Sequence, residues 1–257
     1  MQQVDQLVPG SSETTFAAGV FLIDKPPDIT SFGVVSRIRR ILRMKKVGHA
    51  GTLDPFATGL LIVCAGRPAT RIISRFMEGE KEYLATLRLG VETATYDTEG
   101  AVTARRSVGP LSAAMIEECL GRFRGRLLQV PPAYSALKHK GKPLYYYARK
   151  GIEIAKEARE VDIRQLVRTD GDHPLSGEEA SLGIRVVCSK GTYIRTLAAD
   201  IGRELGCGAH LVQLRRIRSG SFTVAEGLSW DELSDGAAWD HCMSKMISVE
   251  EVCKLLQ

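Results

Sequence analysis

One short stretch constrains the fold and chemistry of this chain more than any other, because it combines glycines, a proline and a single carboxylate. It is GHAGTLDPFATG, residues 48–59, and it precedes the apolar run Leu60–Ala65. A residue before proline is driven out of the helical region, so Asp54 is predicted to lie on a fixed, non-helical segment. The glycines allow another molecule to approach the backbone closely. Such a segment can present a nucleophile or general base, although Asp-Pro with glycines is also typical of ordinary turns.

His49, in the same stretch, has four interpretations. Its imidazole could pair with Asp54, ligate a metal, stack on a base or cap a turn. No further ligands at metal-binding spacing accompany it, so a metal site is the least supported of the four.

The composition and the absent motifs limit the function classes. The chain has 257 residues, a net charge of +5 and six cysteines, none in a C-x-x-C pair. The polar N-terminus does not resemble a signal peptide and no apolar run reaches transmembrane length, so a cytoplasmic protein without a membrane partner is predicted. Phosphate-loop, dinucleotide, zinc-peptidase and serine-hydrolase motifs are missing. A cofactor-free enzyme using carboxylate chemistry, or a binding module, is favoured.

The hydrophobic pattern predicts an α+β fold, with a mixed, largely antiparallel central sheet flanked by helices. Strands are predicted at 19–24, 60–65, 81–90, 161–169, 181–189 and 210–222, and helices at 31–44, 68–80, 111–125 and 192–206. The strand at 81–90 is expected to place Tyr83, Ala85, Leu87 and Leu89 on one face.

Three regions stand apart from this pattern. Residues 1–18 are predicted to be a flexible tail ahead of a domain over 19–228. Residues 130–159 are basic, rich in tyrosine and broken by prolines and glycines, which indicates an insertion. The segment 229–257 is too short to form a stable separate domain. No long apolar seam is evident, so a monomer is predicted.

A second candidate site is SKGTYIR, residues 189–195, at a predicted strand-to-helix junction. Thr192 is a candidate helix cap that would leave Arg195 one turn into the helix. There the guanidinium could pair with a carboxylate from another loop and depress the pKa of that carboxyl group. The alternative is a surface arginine on a solvated helix.

Four basic clusters favour a nucleic-acid partner. They are RIRRILRMKK (37–46), RFRGR (122–126), KHKGKPLYYYARK (138–150) and LRRIR (214–218). Cationic side chains with interleaved tyrosines suit an RNA backbone with exposed bases, although any single cluster is usually a solvated face.

Together, these stretches resemble the TruB family of tRNA pseudouridine synthases, which modify the T-arm uridine. The resemblance runs in order along the chain from Gly19 to Val224. It rests on LIDKPPDITS (22–31), GHAGTLDPFATGLL (48–61), EKEYLATLRLG (80–90), VPPAYSALKHKGKPLYYYARKGIEI (130–154), CSKGTYIRTLAADIG (188–202) and GCGAHLVQLRRIRSG (206–220).

The resemblance implies a pseudouridine synthase fold with an RNA-gripping insertion, and a cofactor-free isomerase acting at position 55 in the T-arm stem-loop of tRNA. By motif position it implies that Asp54 is the nucleophile, that Tyr83 stacks on the target base and handles protons, and that Arg195 pairs with Asp54. It also implies that His49 enters the RNA loop near the flipped nucleotide, that Leu214 closes the apolar side of the pocket and that Tyr193 supports the site. Lys25, in the opening motif, is expected among the substrate-binding residues.

The sequence departs from the family pattern in three places, and the mildest is Ala50, which replaces a common Thr. Asp28 stands where the family usually has glycine, which leaves the geometry of that turn open. The family's C-terminal RNA-binding domain is expected to be absent or truncated, since only Trp230–Gln257 follow the last motif.

Two other functions remain as alternatives. A non-catalytic RNA-binding or RNA-folding module explains the basic clusters but not the joint presence of Asp54, Tyr83 and Arg195. An aspartyl phosphotransferase is suggested by Gly51–Asp54, but the stretch lacks the usual aspartate ahead of the Gly-Thr pair and has no evident magnesium partner.

Overall fold

The structure is a computed structural model and describes residues 16–135 and 137–256. Most of the predicted flexible tail, residues 1–15, lies outside the described residues. The strands are β1 (Gly19–Lys25), β2 (Val47–Ala50), β3 (Thr58–Ala65), β4 (Lys81–Leu89), β5 (Val91–Thr93), β6 (Val102–Arg105), β7 (Gly125–Gln129), β8 (Lys138–His139), β9 (Lys142–Pro143), β10 (Arg159–Arg168), β11 (Ser181–Cys188), β12 (Ala209–Ser219) and β13 (Phe222–Thr223). The helices are α1 (Ser31–Ile41), α2 (Arg67–Arg71), α3 (Ile73–Glu78), α4 (Ala113–Arg122), α5 (Leu144–Ala148), α6 (Ile194–Glu204), α7 (Ala238–Ser244) and α8 (Val249–Leu255), with a 3₁₀ turn at Val224–Glu226.

The main sheet has the order β1-β3-β12-β4-β11-β10-β7, with β2 added to β3 and β13 added to β12. The β3–β12 pair is parallel and the other pairs are antiparallel. The prediction of a mixed, largely antiparallel sheet flanked by helices is therefore confirmed. The parallel pair matters for the site, because it joins the strand that follows the Asp54 loop to a strand from the far end of the chain.

The alternation predicted for β4 is confirmed. Tyr83, Ala85, Leu87 and Leu89 are buried on one face, whereas Leu84 between them is 39% exposed. This face packs with β10, β11, β12, α4 and α6 around the largest apolar cluster. Tyr83 and Leu214, two of the predicted site residues, lie in that same cluster.

Three local predictions need correction. The helix predicted at 68–80 is two short helices, α2 and α3, interrupted at Ile72. His49 lies on β2, opposite Val63 of β3, and not in a loop. Thr192 does not cap α6: its hydroxyl donates to the Ser189 carbonyl, Tyr193 takes the cap position, and Arg195 is in the first turn.

The turn after β1 keeps the conformation that a glycine would favour. Asp28 has φ 62°, in the left-handed region, where aspartate is among the better tolerated non-glycine residues. Aspartate in place of the family's usual glycine at position 28 therefore does not prevent this turn from forming.

The end of the chain is part of the core. Leu228, Leu233 and Cys242 are fully buried against β1, β3 and α1, and Val252 of α8 is fully buried in a third cluster on the other side of β1. Phe16 lies in the tail expected at 1–18, yet its ring packs edge-on against Trp239, with 6.5 Å between the ring centroids. Phe16 and the segment after 228 therefore meet on the same side of the domain.

The insertion predicted at 130–159 contains the β8–β9 hairpin and α5, outside the main sheet. Its tyrosines interact with one another and with lysines: Lys142 and Lys150 lie 4.4 and 4.6 Å from the Tyr146 ring centroid. These contacts are local, as expected of an inserted segment.

Candidate active site

The loop between β2 and β3, residues 51–57, carries Asp54 and is held from beneath by the start of α1. The hydroxyl of Ser31 donates to the Leu53 carbonyl (3.0 Å) and accepts from the Leu53 amide (2.9 Å). Thr30 caps the same helix by accepting from the Gly33 amide. The residue next to Asp54 is thus fixed to a helix end by two buried hydrogen bonds.

Lys25 holds the other side of this loop. Its side chain is fully buried, and its ammonium donates to the carbonyls of Pro26 (2.8 Å), Ile29 (2.7 Å) and Pro55 (2.9 Å). An ammonium has three donors, so all are used. Burial lowers the pKa of Lys25 to about 8, against the raising effect of Asp28 and Asp54. Lys25, expected among the substrate-binding residues, thus directs its ammonium to backbone carbonyls on both sides of the turn and at the Asp54 loop.

Asp54 and Arg195 form the predicted pair. Arg195 Nε lies 2.8 Å from Asp54 Oδ2, and Nη2 donates to Oδ1 at 3.1 Å, which is a bidentate geometry. The Arg195 side chain is 5% exposed, whereas the Asp54 side chain is 31% exposed. Arg195 therefore binds the Asp54 carboxylate from the protein interior, and part of the carboxylate remains exposed to solvent.

Arg195 is itself fixed by contacts that the sequence did not reveal. Its guanidinium donates to the carbonyls of Thr95 (3.1 Å) and Tyr134 (2.7 Å). Asp97 Oδ2, 2% exposed, lies 3.4 Å from Arg195 Nη1. Arg195 thus stands between two carboxylates, and each of its terminal nitrogens has a backbone partner.

Burial is the largest influence on the Asp54 carboxyl and raises its pKa above the ordinary 3.8. Arg195 opposes this effect, and Asp97 adds to it. Pairing with Arg195 lowers this pKa, as expected, but desolvation outweighs the ion pair and the net pKa is raised.

Tyr83 and Leu214 form the apolar wall beside the carboxylate. Both are buried, at 9% and 7% exposure, together with Leu53 and Ala57 of the Asp54 loop. Burial raises the pKa of the Tyr83 phenol, against an opposing effect of the Arg216 guanidinium, so the phenol is neutral at physiological pH. The structure thus pairs Asp54 with Arg195, and it places Tyr83 and Leu214 in the apolar cluster that includes Leu53 and Ala57 of the Asp54 loop.

Arg216 is a buried residue of the site that was expected only as part of a basic cluster. It is 2% exposed, and it donates from Nε to the Leu60 carbonyl (2.8 Å) and from Nη2 to the Gly51 carbonyl (3.0 Å). Its guanidinium therefore joins the two ends of the Asp54 loop. A signal was present in the sequence, because residues two apart on a strand share a face and Leu214 was expected to point inward.

His49 and Tyr193 flank the site. Burial, with a contribution from Arg216, lowers the pKa of His49, so its imidazole is neutral at physiological pH. His49 Nδ1 is buried and has no hydrogen-bond partner among residues 16–135 and 137–256. The Tyr193 backbone exchanges two hydrogen bonds with the Gln129 side chain, which ties the start of α6 to β7.

The described part of the chain offers no group of three or more His, Cys, Asp or Glu side chains placed to hold a metal ion. No helix within it is long and apolar enough to cross a bilayer. Five of the six cysteines are buried and Cys253 is half-buried, as expected of small core residues.

Comparison with known proteins identifies the family. Residues 39–194 match the TruB family pseudouridylate synthase N-terminal domain, and residues 195–255 match the tRNA pseudouridylate synthase B C-terminal domain. The boundary between the two matches falls inside the fold, so Asp54 and Arg195 lie on opposite sides of it.

Relatives and solved structures agree with this match. The chain is 64% identical to tRNA pseudouridine synthase B of Desulfotalea psychrophila over 95% of this chain and 99% of the relative. It is 52% identical to the protein of the same name from Chromobacterium violaceum, over 81% of this chain and 65% of that relative. Its fold is similar to a chain in the crystal structure of a Cbf5-Nop10-Gar1 complex (TM-score 0.70, 27% identity), covering 92% of this chain and 62% of that one. The chain belongs to the TruB family of pseudouridylate synthases.

Proposed function

We propose that this enzyme converts uridine to pseudouridine at position 55 in the T-arm loop of tRNA, with Asp54 as the nucleophile. The tRNA substrate follows from the names of the relatives. The observation that carries the catalytic assignment is the bidentate Asp54–Arg195 pair beside the buried ring of Tyr83.

The reaction is an isomerisation, and its atoms balance without a cofactor. The bond between N1 of uracil and C1′ of ribose breaks, and a bond between C5 and C1′ forms. C5 loses a proton and N1 gains one, so no electron acceptor or phosphate donor is required. A carboxylate held by Arg195 on one side and open on the other is suited to act as the transient nucleophile.

The buried position of the site requires that the uridine leave the RNA stack. Extruding a base costs a few kcal/mol, which contacts to the RNA must offset. Tyr83 and Leu214 offer an apolar surface for the extruded ring, and the neutral Tyr83 phenol can donate a hydrogen bond. His49, on strand β2 just before the Asp54 loop, is proposed to contact the RNA beside that nucleotide.

Lys25 and Tyr193 are proposed as positioning residues. Lys25 uses all three of its donors on backbone carbonyls, including that of Pro55 next to Asp54. Tyr193 sets the start of α6, two residues before Arg195.

The test is release of tritium from C5 of uridine in a T-arm stem-loop, with the wild-type protein and Asp54→Asn. We expect stoichiometric release by the wild-type protein and none by Asp54→Asn, which keeps the size of the side chain and removes its charge. The affinity of both proteins for the stem-loop, measured in parallel, separates lost chemistry from lost binding.

Normal release by Asp54→Asn would overturn the assignment of the nucleophile. Tight binding by the wild-type protein with no release from any tRNA would overturn the enzymatic proposal and favour an RNA-binding module.

A further inference from the structure

The basic clusters of the sequence differ in whether carboxylates neutralise them. Arg122, Arg124 and Arg126 of RFRGR and Arg215 and Arg218 of LRRIR each form an ion pair. These two clusters therefore present little net positive charge to a polyanion, and Arg216 of the second one is buried inside the site.

Two clusters are different, because within the described residues neither the basic side chains at 138–150 nor those that follow α1 pair with a carboxylate. The cluster that follows α1 is the one directly connected to the Asp54 loop through β2. Arg40, Arg43, Lys45 and Lys46, here called the α1-end cluster, are all exposed. Within the described residues, none of the four lies within ion-pair distance of a carboxylate, although most other arginines of the fold do. Four uncompensated charges over seven residues repel one another, so the surface favours an anionic partner.

The backbone at Arg43 points to a role beyond local stability. Arg43 has φ 48°, and the amide of Met44 bonds back to the Arg39 carbonyl at 3.0 Å. This is the left-handed residue that ends a helix, a position that strongly favours glycine. An exposed arginine without an ion-pair partner is kept there despite the conformational cost, and such outliers are concentrated at binding sites.

The α1-end cluster is also rigidly connected to the catalytic loop. Ser31, at the first turn of α1, is bonded to Leu53 next to Asp54. Eleven helical residues then carry the chain about 16 Å away before β2 returns it to the site. The fold therefore fixes the distance between the α1-end cluster and the Asp54 loop. This distance is longer than one nucleotide, so the cluster would contact RNA beyond the target nucleotide.

We propose that Arg40, Arg43, Lys45 and Lys46 bind backbone phosphates of the RNA stem that adjoins the loop holding the target uridine. The identity of the RNA rests on the proposed function. The contacts supply affinity that offsets base extrusion, and they place the stem without reading its sequence.

The first experiment compares the wild-type protein, a variant with all four residues changed to Gln, and a matched control. The control changes four ion-paired arginines to Gln: Arg88, Arg122, Arg164 and Arg185. Affinity for a T-arm stem-loop is measured from 50 to 200 mM salt, and single-turnover tritium release is measured at saturating RNA.

We expect the cluster variant to bind the stem-loop at least about tenfold more weakly, with a salt slope reduced by about one for each phosphate that it no longer binds. Its saturating rate should equal that of the wild type, and the control should change far less in affinity and slope.

A single substitution separates binding from folding. Arg43→Gly removes the charge and relieves the left-handed strain, so we expect weaker RNA binding together with a higher thermal midpoint. A purely structural arginine would show the higher midpoint with unchanged affinity, and that result would overturn the proposal.

The remaining outcomes are also decisive. Equal losses in the cluster variant and the control would show a net-charge effect and overturn the proposal. A shorter RNA, with only the loop and its closing base pairs, tests the assignment to the stem. If the cluster variant loses as much affinity for this RNA as for the full stem-loop, that assignment is overturned. Absence of tritium release by the wild-type protein would overturn the proposed function, while the salt slopes would still decide whether the cluster binds RNA.

Discussion

Asp54 is subject to two opposing effects that act at the scale of a single residue. Burial raises the pKa of its carboxyl, and the bidentate contact with Arg195 lowers it, with burial the larger effect. The Asp54 carboxyl is therefore protonated in weaker acid than an exposed aspartate would be.

This balance predicts the acid limb of the pH-rate profile. As pH falls through the raised pKa of Asp54, the carboxylate is lost and the single-turnover rate should fall, with a midpoint above the ordinary 3.8. Arg195→Met removes the effect that lowers this pKa, so the midpoint should move to still higher pH in addition to any loss of rate. Arg195→Lys, which keeps the charge, should move it less. If the midpoint of the acid limb is the same in Arg195→Met as in the wild type, the limb does not reflect protonation of Asp54.

Lys25 predicts a stability change in the alkaline range. Its pKa is about 8 in the folded protein and 10.5 as an ordinary lysine, so between these values the unfolded chain binds more protons. The contribution of Lys25 to the free energy of unfolding should therefore rise as pH increases from about 8 to 10.5. Below pH 8 the full cost of burying the charged ammonium lowers stability. Urea unfolding of the wild type and Lys25→Met over this range should show the relative gain in the wild type alone. Parallel curves would contradict the assignment of this pKa to Lys25.

At the scale of elements, the site depends on the parallel contact between β3 and β12. Arg216 on β12 pairs with Gly59 on β3 and reaches back to the Gly51 carbonyl at the start of the loop. A Cβ on Gly59 would lie 2.2 Å from the Arg216 carbonyl oxygen and 2.9 Å from its nitrogen. The glycine therefore permits a strand contact that closes the Asp54 loop.

Gly59→Ala tests this contact. The two strands would have to separate, so we expect a loss of about 2 kcal/mol or more in unfolding free energy and a large loss of tritium release. Gly206→Ala is the matched control, since Gly206 also has a positive φ (79°) but no atom within 4 Å of the place that an alanine methyl group would occupy. It should cost only about 1 kcal/mol, from backbone strain, and leave the chemistry intact. Equal effects of the two substitutions would show that the strand contact is unimportant.

Individual strands and loops could be predicted from the sequence, whereas contacts between distant segments could not. Strand β4 and the inward position of Tyr83 followed from a period of two, and the Asp54 loop followed from its proline and glycines. The backbone partners of Arg195 could not be predicted, because Thr95 and Tyr134 meet it only after distant segments fold together. The lowering effect of Arg195 on the pKa of Asp54 was predicted, but the larger raising effect of desolvation was not, since desolvation is a property of the folded site.

At the scale of the whole molecule, strand β1 and residues 228–256 meet and complete the domain. Strand β1 is bridged to Ile247 through Val20 and to Leu228 through Ile23. Val252 of α8 is fully buried against the sheet. Residues 229–256 are therefore packed onto the catalytic fold and share its core.

This packing predicts how α8 contributes to global stability. Val252→Ala removes two buried methyl groups and should lower the free energy of unfolding by about 2 kcal/mol. Leu255→Ala, in the same helix but at a side chain 52% exposed, should change it by less than about 0.5 kcal/mol. Denaturation should remain a single transition in both. A separate early transition in Val252→Ala would indicate that the C-terminal segment unfolds independently.

The most direct measurement of the central claim is a crystal structure of Asp54→Asn bound to a T-arm stem-loop. One uridine should be extruded from the loop, its ring against Tyr83 and Leu214 and its reacting carbons beside residue 54, with Arg195 still bonded to Thr95 and Tyr134. A bound stem-loop whose uridines all remain stacked, with the space beside residue 54 empty of any base, would contradict it.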